Sequence, residues 1–94
     1  MPERVAELLL TEAAIEKLGA RSISVDEVHQ LPHNVTVAVH NPRSNPPGKR
    51  LLLIGRTDGG RTLTLAVERT ADPTTWLVIT GWDATPRERR LLRS

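Results

Sequence analysis

"RLLLIGRTDGGRTLTLAVE" runs from Arg50 to Glu68 and decides how the rest of the chain is read. Two apolar runs flank Asp58-Gly59-Gly60, and the glycines supply the positive φ that a tight hairpin turn needs. In the second run Leu63, Leu65 and Val67 alternate with Thr62, Thr64, Ala66 and Glu68. That period of two marks a strand with one buried face. The stretch is therefore a β-hairpin, and the sheet grows from it in both directions.

Upstream, "VTVAVH" (Val35–His40) alternates strictly, with Val35, Val37 and Val39 on one face. "NPRSNPPGKR" (Asn41–Arg50) holds three prolines, a glycine and no large apolar group, which makes it a loop. Downstream, "TADPTT" is a turn and "WLVITGW" (Trp76–Trp82) is the last strand. Regular alternation there predicts Leu77 and Ile79 in the core, with Trp76, Val78, Thr80 and Trp82 on the opposite face beside the threonines. A face of small hydroxyls and two indoles is a platform for binding. The alternative is that one or both tryptophans, Trp82 above all, fold beneath a terminal helix as core, since tryptophan is seldom left fully exposed.

The flanks read as helices. Thr11 caps "EAAIEKLG", with Gly19 at its stop, and Ser24–Glu27 is a capping box for a second helix ending before Pro32. Thr85-Pro86-Arg87-Glu88 repeats the capping box with proline in the first helical position, so a last helix starts near Pro86. Val5–Leu10 fits either a strand or an extra helical turn. The expected fold is a single α+β domain over residues 1–94. It has two N-terminal helices, an antiparallel meander of three to four strands, and a C-terminal helix.

Composition narrows the chemistry. There is no cysteine, so disulfides and thiolate metal sites are excluded, and the two tryptophans are the only aromatic residues. The three histidines show no zinc-ligand spacing, so no metal and no cofactor is expected. No apolar run could span a bilayer, and the opening segment is a poor signal peptide, which leads to an expected cytoplasmic location without membrane contact. Charge is uneven. Residues 1–42 carry three Lys/Arg and six Asp/Glu, whereas residues 43–94 carry ten and five. Such a gradient permits a basic face towards phosphate, and equally permits ordinary solvated arginine.

Arg56 and Arg61 flank the hairpin turn, where a guanidinium either grips phosphate or solubilises a sheet edge. On the last helix Arg87 and Arg90 share one face and Arg89 and Arg93 another. Arg90 and Arg93 also suit the negative end of the helix dipole. His40, ending a strand, is the histidine candidate for acid–base chemistry.

As an ordered set, Ile54-Gly55-Arg56 followed by Ala84-Thr85-Pro86-Arg87-Glu88-Arg89-Arg90 resembles the BrnT toxins and related proteins of the RelE/ParE-like superfamily. The likeness covers most of Lys49–Leu92. The opening "LLLTEAAIEKLGARSISVDEV" is similar to the two-helix start of the related proteins and lacks the Phe-Glu-Trp-Asp opening of BrnT itself. The resemblance implies a toxin of a type II toxin–antitoxin pair. Such a protein is a metal-independent endoribonuclease on free or ribosome-bound mRNA, neutralised by a cognate DNA-binding antitoxin. In that chemistry a 2′-hydroxyl attacks the adjacent phosphate, which needs a base, cations for the developing charge and an acid for the leaving oxygen. By motif position Arg56 would stabilise phosphate, flanked by Arg87 and Arg90. His40 and Glu68 are the proton-transfer candidates from their strand positions. Arg61, Trp76, Trp82 and Arg89 are candidates for contact with RNA or a partner. The chain departs from the family at Trp82-Asp83, where the family places arginine and a second basic residue. A non-catalytic relative that binds a partner protein or nucleic acid is the alternative.

Overall fold

The computed structural model describes residues 5–46 and 48–93, apart from the side chain of Arg93, so the expected row of Arg89 with Arg93 lies partly outside the described residues. In chain order the elements are β1 (Glu7–Leu10), α1 (Glu12–Gly19), α2 (Val25–Gln30), a 3₁₀ turn (Leu31–His33), β2 (Thr36–His40), β3 (Arg50–Arg56), β4 (Thr62–Arg69), β5 (Thr75–Asp83) and α3 (Pro86–Arg93). The architecture is α+β. The sheet is larger and more mixed than the expected antiparallel meander of three to four strands. It has five strands in the order β1-β5-β4-β3-β2, with β1 parallel to β5. Val5–Leu10, ambiguous by periodicity, contributes this parallel edge strand. Its short apolar run needs a partner strand to be told from a helical turn, and β5 lies far along the chain.

The local signals act as their chemistry requires. Thr11 accepts a hydrogen bond from the Ala14 amide, and Ser24 and Glu27 form the reciprocal capping box. Thr85 and Glu88 do the same for α3, with Thr85 N–H donating to Glu88 Oε1 at 2.8 Å and Glu88 N–H to Thr85 Oγ1 at 3.2 Å. Gly19 is the last residue of α1, and the left-handed residue that turns the chain is Ser22, at φ 59°. The hairpin pairs Arg56 with Thr62 and, six residues up each strand, Arg50 with Glu68.

One face of the sheet carries α1, α2 and the 3₁₀ turn. Leu8, Leu18, Ile23, Val28, Leu31, Leu51, Leu53, Leu63, Leu65, Val67, Trp76 and Val78 form the principal core there. Two glycines allow the close approach. A Cβ on Gly55 would stand 2.6 Å from Thr36 Cγ2 and 3.0 Å from Leu31 Cγ. One on Gly81 would stand 2.6 Å from Leu65 Cδ2 and 3.1 Å from the Thr64 carbonyl oxygen. Among the described residues the other face is covered by α3 at one corner, where Ile54, Ala84 and Leu92 pack with Val37 and Val39. No helix among the described residues is long and apolar enough to cross a membrane.

The last strand corrects the expected alternation. Thr80 pairs with Ala66, yet the next pair is Val78 with Val67, so Ile79 is an extra residue, a β-bulge. A bulge shifts the side-chain phase by one, so residues before it point to the opposite face from that which alternation assigns. Trp76 and Val78 therefore enter the principal core, and Trp76 is fully buried. Leu77 and Ile79 are only half-buried. Beyond the bulge, Thr80 and Trp82 stay beside the threonines, as the pattern predicted. Burying an indole and a valine together yields at least about 2 kcal/mol, more than one unpaired ladder position costs when water still reaches it.

Candidate functional site

The uncovered part of the α3 face forms a groove of about 500 Å³. Leu52, Ala66, Ile79 and Thr80 make its floor, Trp82 one end, and Asn41, Pro42, Arg43 and Arg50 the rim. The floor follows from the registers Leu52↔Ala66 and Ala66↔Thr80, which set small and branched side chains side by side. Ile79 reaches the same surface because the bulge gives two consecutive residues access to it.

Trp82 is held rather than free. Its indole N–H donates to Glu88 Oε1 at 3.1 Å, and the same oxygen accepts from Thr64 Oγ1 at 3.0 Å and from the Thr85 amide. Burial works against the charged form of Glu88, and the hydrogen bonds from Thr85, Trp82 and Thr64 outweigh it, leaving its pKa below the ordinary carboxylate value. One carboxylate thus caps α3, satisfies a buried threonine and fixes the plane of the indole.

At the far end of the groove Arg50 Nε donates to Glu68 Oε1 at 3.0 Å, with Lys49 Nζ 3.9 Å from the same oxygen. Asn41 Oδ1 accepts from the Arg43 amide at 3.0 Å. The Arg43 guanidinium has no hydrogen bond or ion pair among the described residues. Arg21 closes the floor from beneath, its Nη1 donating to Gly81 O at 2.8 Å and to Thr80 Oγ1 at 3.1 Å, where β5 runs beyond the end of β1.

The nominated residues scatter around this groove. Trp82 lines it, and Glu68 holds its rim through Arg50. Trp76 lies in the opposite core with Arg69 stacked 4.8 Å from its ring centroid, so it is no part of an open platform. Arg61 is committed to structure. It donates to both carboxylate oxygens of Asp83 at 2.7 and 3.2 Å, to Glu27, and to the carbonyls of Ser22 at 2.6 Å and Arg21 at 3.1 Å. The Asp83 hydrogen bond chiefly raises the pKa of Arg61, and Arg61 in turn holds Asp83 low. Asp83, the acidic departure at the end of β5, is therefore an ion-pair partner.

His40 does not meet the hairpin arginines. It stands opposite Leu51, at the end of the sheet away from the turn, while Arg56 lies five residues further along β3, about 17 Å by strand rise. The two also point to opposite faces, His40 with Leu51 and Arg56 with Ile54. Arg56, Arg87, Arg89 and Arg90 are exposed on or beside α3. Glu88 and Leu92 turn towards the sheet, which directs Arg90 outward by helical periodicity. Glu68, spent on Arg50, belongs to the other end of the face from Arg56. The proposed bases and cations are thus not assembled around one point. Among the described residues no group of His, Asp and Glu side chains is arranged to hold a metal ion.

Sequence reasoning missed Asn41, Arg43, Arg50 and the wider role of Glu88. A signal for Arg50 existed, because counting outward from the Asp58-Gly59-Gly60 turn sets Arg50 against Glu68. Nothing in the sequence marks Thr64 and Trp82 as additional partners of Glu88, since that contact depends on where α3 crosses the sheet. Comparison of the chain with family models, with curated proteins and with solved structures finds no match.

Proposed function

We propose that this protein binds single-stranded RNA on the open face of its sheet, with a base stacked against Trp82 and phosphate held by the arginines of the rim. The observation that carries the reading is the groove itself, which joins an indole fixed by Glu88 to the cations Arg43 and Arg50 across an apolar floor. Aromatic platforms beside a positive rim are the usual means of binding single strands, because every base has a π-face and every nucleotide a phosphate. A fixed indole loses little freedom on binding. An RNA ligand agrees with a cytoplasmic location.

The ribonuclease toxin implied by the resemblance is the second reading. Arg56 favours it. Its guanidinium is unpaired among the described residues, and it shares a face of the sheet with α3 and its arginines. Cleavage would need a proton acceptor beside these cations, and His40 and Glu68 do not supply one from where they stand. Binding is therefore the better supported function, and the cognate antitoxin is the partner that the toxin reading would bring.

Both readings are tested by titrating a fluorescein-labelled uridine-rich oligoribonucleotide and following its anisotropy, with a denaturing gel on the same samples. The expected result is saturable binding to an intact oligonucleotide, weakened about 5- to 150-fold by Trp82→Ala, the range that 1–3 kcal/mol of stacking per base implies. Absence of binding by folded protein would overturn the RNA reading. Metal-independent cleavage lost in Arg56→Ala would move the conclusion to the ribonuclease.

A further inference from the structure

Resting on the RNA-binding reading, we infer that the groove selects guanine, with Arg50 reading the acceptor edge of the base and Arg43 taking the phosphate. The argument is the polarity of the groove's hydrogen-bonding groups. Arg50 is anchored through Nε to Glu68, so its two terminal nitrogens remain to donate as a fork with a set direction. Asn41 spends its carbonyl oxygen on the Arg43 amide, which leaves the side-chain NH₂. Thr80 Oγ1 already accepts from Arg21, so its own hydrogen is the one on offer. No carboxylate lines the groove: Glu68 and Glu88 stand behind Arg50 and Trp82, each holding its partner through Oε1. Leu52, Ala66 and Ile79 add no polar side-chain atom. The side chains lining the groove therefore offer more donors than acceptors.

Guanine shows two adjacent acceptors, O6 and N7, on the edge of its larger ring system, which an arginine fork matches. Adenine sets an N6 donor beside N7 and would point an N–H at a donor, and a donor left unpaired on burial is penalised. Cytosine pairs O2 with N3 beside its sugar, on a single ring that reaches less far from Trp82. Size agrees. The Trp82 row, at Thr64, and the Arg50 row, at Glu68, are four residues apart on β4, about 13 Å by strand rise. That span takes a purine stacked at one end with its edge towards the arginine at the other. Arg43, exposed at the rim and without a partner among the described residues, suits the phosphate, which carries no sequence information.

The test compares the hexamers UUUGUU, UUUAUU, UUUCUU and UUUUUU by fluorescence anisotropy at low salt, with native protein and with Arg50→Lys and Arg43→Ala. UUUGUU is expected to bind about 5- to 150-fold more tightly than the others, the range of one good bidentate base contact. Arg50→Lys keeps the charge and loses the fork, so it should abolish the preference and bring the four hexamers to one common affinity. Arg43→Ala should weaken all four hexamers alike. Equal binding of the four by the native protein would overturn guanine selection and leave the RNA reading intact. A preference that survives Arg50→Lys would overturn the assignment to Arg50. If none of the four binds, the RNA reading itself fails.

Discussion

Replacing Arg61 by alanine tests whether this guanidinium holds the fold or contacts a ligand. It joins the α1–α2 loop at the Arg21 and Ser22 carbonyls, α2 at Glu27, and the end of β5 at Asp83. Arg61 and Glu27 are roughly three-quarters buried, at 27% and 25% side-chain exposure, whereas Asp83 is 64% exposed. Solvent screening limits the Asp83 pair to about 0.5 kcal/mol. The two carbonyl bonds and the Glu27 contact, made by a charged donor in a drier setting, add about 2 kcal/mol together. The expected loss is about 2–3 kcal/mol, seen as a fall in Tm of about 8–24 °C for a domain of this size.

The loss should also depend on pH. The hydrogen bond from Arg61 chiefly lowers the pKa of Asp83, and the Ser24 amide followed by Arg61 lowers that of Glu27. A folded-state pKa below the unfolded one contributes stability above the ordinary carboxylate range, and that stability disappears as pH falls through the lowered value. The gap between native protein and Arg61→Ala should therefore be full at neutral pH and shrink below about pH 4. Urea unfolding at a series of pH values measures it. A loss under about 0.5 kcal/mol at neutral pH, the level of a surface ion pair, would refute the structural role. RNA affinity of folded Arg61→Ala should equal that of the native protein, because Arg61 does not line the groove.

Glu88→Ala should cost about 2 kcal/mol, since it leaves buried Thr64 and the Trp82 indole without their acceptor and uncaps α3. Chemical denaturation measures the loss, and the contribution of Glu88, whose pKa is lowered in the fold, should fade as pH drops below about 4. Gly55→Ala should destabilise by about 1–3 kcal/mol, because its methyl group meets Thr36 and Leu31 at distances that force the 3₁₀ turn off the sheet. A thermal melt unchanged from the native protein would show that the turn yields without strain.

Periodicity and capping made much of the fold legible. The hairpin, the three helices and their caps depend on residues close together in sequence, so local chemistry specifies them. Ile54-Gly55-Arg56 illustrates where that reach ends. As a motif it identifies a strand end, while the reason for the glycine, a turn from Leu31 pressed on it, lies more than twenty residues away. Glu68 is a proton-transfer candidate by strand position, because a strand pattern gives each residue a face and no partner. Pairing across β3 and β4 converted it into the anchor of Arg50.

By itself the sequence determined the hairpin, the strands that continue it on either side, the three helices, and which face of β4 is apolar. Only the tertiary structure decided that β1 joins β5 in parallel, that Arg61 ties the α1–α2 loop to β5, and that Trp76 belongs to the core. The first two join residues far apart in the chain, and for Trp76 the physical reason is the bulge at Ile79. A strand's alternation is read from its own residues, but its phase is set by which face gains most from burial, and a single inserted residue reverses it. That reversal buries Trp76 and leaves Trp82 in the groove.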